Sequence, residues 1–567
     1  MRFVQQVAEL ADPVTSDAAL QASLLRILGA GGRASANERL NALAADARAH
    51  LRAATLDAEA HPPVLKQYDA WGERVDEIVT SHGWEVQRQA AARHGMVAVA
   101  YDPALRAQYG AGVRVLQHAL LHLWAPDSAI FNCPIAMTDG AAALLSAPDV
   151  DPSLSPIRER LVSWDPEQAW TSGQWMTETE GGSDVGRGST SASLGSDDAW
   201  RLSGEKWFCS ATTAEISVAL ARPQGRPEGS RGMSCFVVPR YTDVIEGGGP
   251  RSTAHGMRIH RLKDKLGTRA LPSSEVGLEG VLAWPIGEPM ESGIRRMMTL
   301  VQITRLHNAV AASGVIRRAV SAARAFATHR VAFGALLTDQ PLHRETLTWM
   351  SVDADAAFLL SQHCFHLLGR VEVDGDTQAS AELRIASTLA KALTGKLAVE
   401  ITSEAIEAFG GNGYIEDTGM PRLLRDAQVL PIWEGTTNVL SLDVLRALGD
   451  ERVDVVTPLL AAVDSVVARA SATTGLNDVA VALASARDEV ADQIKQAVAD
   501  PSSAQTQARA RVLTLRSASL LAGACLLEAA LDGDERAYAV ADLWIRRRLL
   551  AEDCAGLGHA RFDLIVG

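Results

Sequence analysis

Between residues 171 and 285 the chain changes texture, and that change limits what it can fold into. Glycines multiply there, and short apolar runs such as SVALA (217–221) and SCFVVP (234–239) are bounded by Gly, Pro and charged clusters. Such runs are the pattern of strands. On either side the spacing is helical. From Pro62 to Trp170, segments such as GVRVLQHALLHLWA carry apolar residues at helical intervals, and Ile385, Leu389, Leu393, Leu397 and Ile401 recur every four residues on one helix stripe. The stripe must stop at the GGNG run, residues 410 to 413, and the chain beyond Arg446 reads as more helix, broken near Asp500-Pro501 and at Gly533.

The expected fold is therefore mainly α with a central β domain. Its segments are an arm of mixed character over 1–60, interrupted at Gly29, Gly31 and Gly32, a helical domain over 61–170, and the β domain over 171–287. A second helical segment follows over 288–448 and a helical extension over 449–567. At 567 residues the chain exceeds what one core serves, so several sub-domains are expected. Hydrophobic residues at 47% and charged residues at 22% are the proportions of a globular protein. Aromatics at only 5%, beside abundant Ala and Leu, favour helices.

A formal charge of −14 gives no support to general nucleic-acid binding. Cys133, Cys209, Cys235, Cys364, Cys525 and Cys554 show no metal spacing and read as buried thiols of a reducing compartment. No metal site is expected. The opening MRFVQQVAELADPV lacks a long apolar core and carries early acids, and SLLAGACLLEAAL (519–531) is short and contains Glu528. Neither a targeting signal nor a membrane span is expected, and the chain is expected in the cytoplasm.

Four segments could carry chemistry. WMTETEGGSDVG (175–186) combines hydroxyls on Thr177 and Ser183, the pair Gly181 and Gly182, and acids Glu178 and Asp184. Glycines let a backbone approach a ligand closely, and hydroxyls and freed N–H groups can bond a flat heteroaromatic edge. By itself the string fits a polar turn equally well. In GEKWFCSA (204–211), strand alternation puts Phe208 and Ser210 on one face, a ring beside a hydroxyl; a core Phe and an exposed Ser would look the same. In HRVAFGALLTDQPL (329–342), Arg330 and Phe333 stand one helical turn apart before Gly334. A cation fixed at a helix end can engage a pyrophosphate, although a salt-bridged surface Arg is the commoner case. Finally, GGNG offers backbone N–H groups after a helix, and IWEGTTN offers one carboxylate, Glu434, between an aromatic and a glycine. Desolvated there, it would be poised as a general base. A surface-loop glutamate has the same local sequence.

Taken together and in order, these segments resemble the acyl-CoA dehydrogenase family, and more closely its AidB-like, alkylation-response branch. The likeness runs through CPIAMT (133–138), MTETEGGSDV, KWFCS, RLKDKLGTRA (261–270), RVAFG with QPL, FGGNGY and IWEGTTNVLSLDVLRAL, and covers residues 60 to 448 well. The helical extension is also AidB-like, in length and character more than in motif. The resemblance implies an N-terminal helical domain, a β-barrel-like middle domain and a C-terminal four-helix bundle, assembled as a homotetramer. It implies FAD between the β domain and the bundle, its adenine end reaching a neighbouring subunit, and an acyl-CoA substrate.

Residue by residue, the resemblance implies that Thr177 and Ser183 contact the flavin or the acyl thioester. Phe208 takes a stacking place that many members fill with Trp, and Ser210 a place often held by Thr. Arg330, Phe333 and Gln340 would grip the partner subunit's FAD. Glu407, Gly410 and Gly411 fall on a Gln-x-x-Gly-Gly string, where Glu407 is a departure. Met176, Gly182, Thr436 and Asn438 complete the cofactor set, and Arg305 and Gly435 join Ser183 on the substrate. Glu434 matches the family's commonest base. The alternative base position of some members is Thr304 here, which cannot serve. The implied reaction is removal of a proton α to the thioester carbonyl as a hydride leaves the β-carbon, with the Glu434 N–H among the donors to the carbonyl oxygen.

An active dehydrogenase feeding electrons to another flavoprotein is the first functional expectation. The alternatives are an AidB-like flavoprotein that binds DNA and turns over weakly, a non-catalytic acyl-lipid binder, and an oxidase. From Arg446 onward 13 Lys and Arg face 17 Asp and Glu, a net of −4, and only Arg546, Arg547 and Arg548, with Arg509, Arg511 and Arg516, could form a phosphate-binding patch. DNA binding therefore ranks below enzyme activity.

Overall fold

The computed structural model describes residues 9–246, 252–291, 293–450 and 452–567. The chain packs as two units. One gathers Ala45–Asp102 and Asp127–His307; the other gathers the chain up to Ala44, Pro103–Pro126 and Asn308–Gly567.

The first unit holds the strands. A hairpin, β1 (Val64–Tyr68) and β2 (Arg74–Val79), precedes β3 (Ser172–Trp175), β4 (Ser191–Leu194), β5 (Trp200–Ser210), β6 (Ile216–Pro223), β7 (Ser234–Pro239), β8 (Met257–Leu262) and β9 (Ser273–Pro285). Pairings β4–β5, β5–β9, β9–β7, β7–β6 and β6–β4 close a circuit, with β3 added to β6 and β8 to β9. Closure leaves few unpaired edges. Side-chain alternation explains the continuous apolar runs. Phe236 and Val238 on β7 and Ala219 and Ala221 on β6 point inward with Trp175, Leu202 and Val276. Their neighbours Ile216, Val218, Leu220, Cys235 and Val237 point outward beneath helices Asn132–Leu145 and Ser155–Leu161. Strands buried on both faces lose the polar half of the pattern.

The hairpin β1–β2 is a correction to the continuous helical spacing expected after Pro62. Its tip is set by Asp69, whose carboxylate accepts from the backbone N–H groups of Trp71 (2.8 Å) and Glu73 (2.9 Å), and by Gly72 at φ 84°. The Arg74 guanidinium donates to the Ile259 carbonyl at 2.7 Å and the Asp76 carboxylate accepts from Ile259 N–H at 2.9 Å, so the hairpin is held by β8.

The second unit is helical. Ile385, Leu389, Leu393, Leu397 and Ile401 are all buried on helix Thr377–Ala408, as their spacing demands. The helix stops at the glycine run: Gly410 sits at φ 60°, and a Cβ on Gly413 would come within 2.1 Å of the Ile406 carbonyl oxygen. Breaks fall at Asp500-Pro501 and Gly533, between helices Asn477–Ala499, Ala504–Ala530 and Glu535–Trp544. A further break at Gly475 (φ 88°) separates Val456–Ser471 from Asn477–Ala499. The arm is helix rather than mixed structure, for Ala18–Asp46 runs through a kink at Gly29 (φ 70°). Among the described residues one helix, Ala504–Ala530, is long and apolar enough to cross a membrane, and 78% of its most apolar window is buried inside the fold. Five of the cysteines are buried and Cys525 is half-buried; all six are free thiols.

A charged chain runs through this unit. Asp17 pairs with Arg317 at 2.9 Å, Arg317 with Asp355 at 2.6 Å, and Asp355 with Arg536 at 2.7 Å. Beside it, helix Val113–Trp124 buries His118, whose Nε2 lies 2.8 Å from Ser361 Oγ, and His122, whose Nδ1 lies 2.9 Å from Ser313 Oγ. Burial pushes the His118 imidazole well below its ordinary range; it also lowers His122, with Asp17 partly offsetting the shift. Burial alone would raise the Asp17 carboxyl, but Arg317 and His122 outweigh it and hold it low. In each case the unfolded chain binds the proton more readily, so stability is lost as pH falls, the histidines acting first, below about pH 6.5, and Asp17 in stronger acid. The urea midpoint should fall steadily from about pH 7 to about pH 5, and His118→Leu should flatten that slope. A midpoint that rises on acidification would contradict this.

Candidate active site

The sequence-derived residues fall on two faces, one in each unit. In the barrel unit, β3 leads into Met176 and Thr177, both half-buried, and the Thr177 carbonyl accepts from Trp207 N–H at 2.9 Å. Glu178 turns inward. Its carboxylate lies 2.6 Å from Lys206 Nζ and accepts from Ser189 N–H and from the Thr190 hydroxyl (2.6 Å), while Lys206 also donates to the Leu220 carbonyl at 2.7 Å. The loop thus folds around a buried ion pair and leaves Gly182 and Ser183 exposed. Burial would raise the Glu178 carboxyl, but the Lys206 charge and these hydrogen bonds prevail and keep it below its usual range.

The register between β5 and β9 slips between Lys206 and Cys209. This bulge leaves Trp207 and Phe208 both at the surface, Phe208 50% exposed, before Cys209 turns in and Ser210 out again. Phe208 and Ser210 do share a face. Lys263 Nζ sits 3.7 Å from the Trp207 ring centroid and 4.4 Å from that of Phe208, and pairs with Glu275 at 2.8 Å. Ser210 Oγ lies 3.1 Å from Ser273 Oγ, to which Lys265 donates at 3.3 Å. The result is a flat ring beside hydroxyls and ammonium groups. Thr304 and Arg305 also belong to this unit: both are buried, and the Thr304 hydroxyl donates to the Val301 carbonyl within its helix.

On the helical unit, Glu407, Gly410 and Gly411 are exposed at the end of helix Thr377–Ala408, and a Cβ on either glycine would meet nothing within 4 Å, so their backbone is open to a ligand. Glu434 is half-buried in the loop before helix Thr437–Leu448, at φ 56°, followed by half-buried Gly435 at φ 103°. A non-glycine residue held there costs about 1–3 kcal/mol, so its surroundings must fix it. They do: the Asn308 side chain donates to the Leu430 carbonyl at 3.2 Å and its oxygen accepts from the Trp433 indole N–H. Thr436 and Asn438 are exposed just beyond; Thr436 caps the helix, and Asn438 accepts from Arg511 at 3.3 Å.

Arg330 and Phe333 are not on a helix. Helix Ile294–Ala327 ends first, and β10 (Val331–Ala332) and β11 (Ala335–Leu336) form a tight hairpin with Phe333 (φ 52°) and Gly334 (φ 84°) at its tip. Two left-handed residues suit the twist of a two-residue turn. The Gln340 amide donates to the Ala332 carbonyl at 3.1 Å, so the hairpin itself joins Gln340 to exposed Arg330 and to Phe333, which is fully exposed.

Four of the six candidate arginines of the extension form ion pairs. Arg546 pairs with Asp542 and Glu552, Arg548 with Asp353 at 2.5 Å and Glu400 at 2.9 Å, Arg547 lies 3.7 Å from Asp353, and Arg516 pairs with Glu489. Among the described residues no group of His, Cys, Asp and Glu is placed to hold a metal ion. Sequence reasoning missed Glu178 with Lys206 as a buried pair, Lys263, Lys265, Asn308 and Lys391. A lysine inside a largely apolar stretch, as in STLAKALTG, was the available signal for the last.

The chain resembles known proteins in sequence and in fold. The chain matches, in order, the descriptions "Adaptive response protein AidB N-terminal domain" over residues 5–159, "Acyl-CoA dehydrogenase, middle domain" over 173–281 and "Acyl-CoA dehydrogenase, C-terminal domain" over 291–449. It is 42% identical to "Acyl-CoA dehydrogenase family member 11" of Caenorhabditis elegans over 410 residues, 70% of this chain and 64% of that protein, so the match spans just under two thirds of that relative. It is 33% identical to "Putative acyl-CoA dehydrogenase AidB" of Escherichia coli (strain K12) over 402 residues, 70% of each chain. The crystal structure of Caenorhabditis elegans ACDH-11 in complex with C11-CoA superposes with a TM-score of 0.91 at 35% identity, covering 98% of this chain and 94% of that one. The chain belongs to the acyl-CoA dehydrogenase family. Its N-terminal match places it in the AidB-like branch.

Removing one member of a buried ion pair strands the other, at about 3–5 kcal/mol. Glu178→Ala should therefore lower unfolding free energy in urea by about that much, and pairing it with Lys206→Met should recover a large part. Additive losses in the double variant would show that the two side chains act independently.

Proposed function

We propose that this chain is an FAD-dependent acyl-CoA dehydrogenase that introduces an α,β double bond into an acyl thioester, with Glu434 as base. The observation that carries the reading is the fixed turn at Glu434: a half-buried glutamate held in a left-handed conformation at the head of helix Thr437–Leu448. The site residues fit FAD. Phe208 presents a half-exposed ring with the Ser210 hydroxyl beside it, and Gly410 and Gly411 leave room for close backbone approach. Met176, Thr177, Gly182, Ser183, Phe208 and Ser210 are the proposed cofactor contacts of the barrel unit, and Thr436 and Asn438 those of the helical unit. Arg330, Phe333, Gln340, Glu407, Gly410 and Gly411 would hold the cofactor of a neighbouring copy. When bound, FAD supplies the two-electron acceptor for the β-hydride.

The protein's own groups do the rest. Glu434 takes the α-proton, a step that oriented general bases speed by about 10²–10⁴-fold. Its backbone N–H donates to the thioester oxygen as negative charge builds there, and a rigid turn keeps that donor aimed before reaction begins. Ser183, Arg305 and Gly435 are the proposed substrate contacts. The C11-CoA bound to the Caenorhabditis elegans structure supports a fatty acyl-CoA as substrate. A second flavoprotein is the proposed acceptor of the electrons.

Glu434→Gln should purify yellow with full FAD content yet lose anaerobic bleaching by C11-CoA by at least about 100-fold. A wild-type protein that takes up no FAD, or a Glu434→Gln variant that still bleaches, overturns the reading. We also propose a homotetramer, supported by the hairpin of Val331 and Phe333, whose exposed apolar side chains suit a partner's surface rather than water. Phe333→Asp should lower the sedimenting mass and the FAD content together; an unchanged assembly with full FAD would refute this role.

A further inference from the structure

Lys391 lies on helix Thr377–Ala408, on a different face from the Ile385–Ile401 stripe, and is itself fully buried. An ammonium ion in that setting needs an answering polar group. It donates to the carbonyl of Gly435, the residue directly after the proposed base. Four residues along the same helix stands Gly395, and residues four apart share a helix face. A Cβ on Gly395 would approach the Leu430 carbonyl oxygen at 3.0 Å and Pro431 N at 3.2 Å. One helix face therefore does two things to the loop: at Gly395 it makes room for the start, and at Lys391 it binds the end. Asn308, reaching Leu430 and Trp433 from helix Ile294–Ala327, fastens the middle.

We infer that Lys391 is a positioning residue for the base: its buried ammonium, bound to the Gly435 carbonyl, holds Glu434 and its backbone N–H in the reactive orientation. This rests on the assignment of Glu434 made above. Lys391 touches neither substrate nor cofactor in this scheme. It acts by fixing the turn on which both the carboxylate and the N–H depend. A misplacement of about 1 Å at such a group can cost on the order of 100-fold in rate.

The test uses the FAD-loaded full chain and C11-CoA, with two readouts: steady-state kcat and KM, and exchange of the α-proton with solvent deuterium, which needs the base but no net oxidation. Lys391→Met should lower both kcat and the exchange rate by about 10–100-fold while FAD content and visible spectrum stay as in the parent. Lys391→Arg, which keeps the cation and its donors, should restore part of both. Asn308→Ala, which loosens the same loop from another helix, should lower exchange in the same sense; it carries the test if Lys391→Met does not fold. Parent-like exchange in Lys391→Met, or in Asn308→Ala where that variant carries the test, overturns the inference. That outcome is distinct from failure of the dehydrogenase reading, in which Glu434→Gln itself would still exchange and bleach.

Discussion

A left-handed turn at a glutamate is a conformation the chain does not adopt for its own sake. The backbone at Glu434 and Gly435 is tolerated only because neighbouring helices hold both ends of the loop, and they can do so only because the bundle is built around it. The long helix Thr377–Ala408 supplies the stripe that buries the core, the glycine that lets the loop approach, and the buried lysine that meets it. Packing and chemistry thus draw on the same few turns of helix. The barrel face solves a parallel problem, since the loop carrying Thr177 and Ser183 closes around Glu178 and Lys206.

Much of this architecture could be read from residue pattern. The strand zone, the buried stripe, the stop at GGNG and the breaks at Pro501 and Gly533 all follow from periodicity and from residues with restricted backbones. What escaped were features whose cause lies in tertiary contact. The β1–β2 hairpin has strands of only five and six residues, and it is held by polar bonds from Arg74 and Asp76 to β8 that no local window displays. Arg330 and Phe333 have helical spacing, but helix Ile294–Ala327 ends before them and the Phe333-Gly334 turn reverses the chain. Gly29 looked like an interruption, yet the helix resumes beyond its kink because both halves have buried faces.

The site was legible as a list of motifs and not as a mechanism of support. Glu434 lies half-buried, Phe208 half-exposed and the glycines Gly410 and Gly411 open, and the FAD and acyl-CoA proposed for them come from the family that those motifs define. The groups that hold them, among them Lys263 beneath two aromatic rings and Asn308 between two loop carbonyl and indole partners, have sequence neighbourhoods typical of ordinary helix or strand. A buried lysine or asparagine declares itself only when its burial is seen.

The ion pairs of the helical unit join segments at opposite ends of the chain. Arg26 bonds Asp532 across 506 residues, and the Asp17–Arg317–Asp355–Arg536 series links the first helix to one near the C-terminus. During synthesis the earliest helix leaves the ribosome long before its partners exist. Its apolar face and the aspartate before it must then wait, open to chaperones or to misassembly, until the chain up to Arg536 has been made. The barrel unit is made of residues up to His307 and is synthesised earlier. Cellular yield would then be set by how well that waiting helix is shielded.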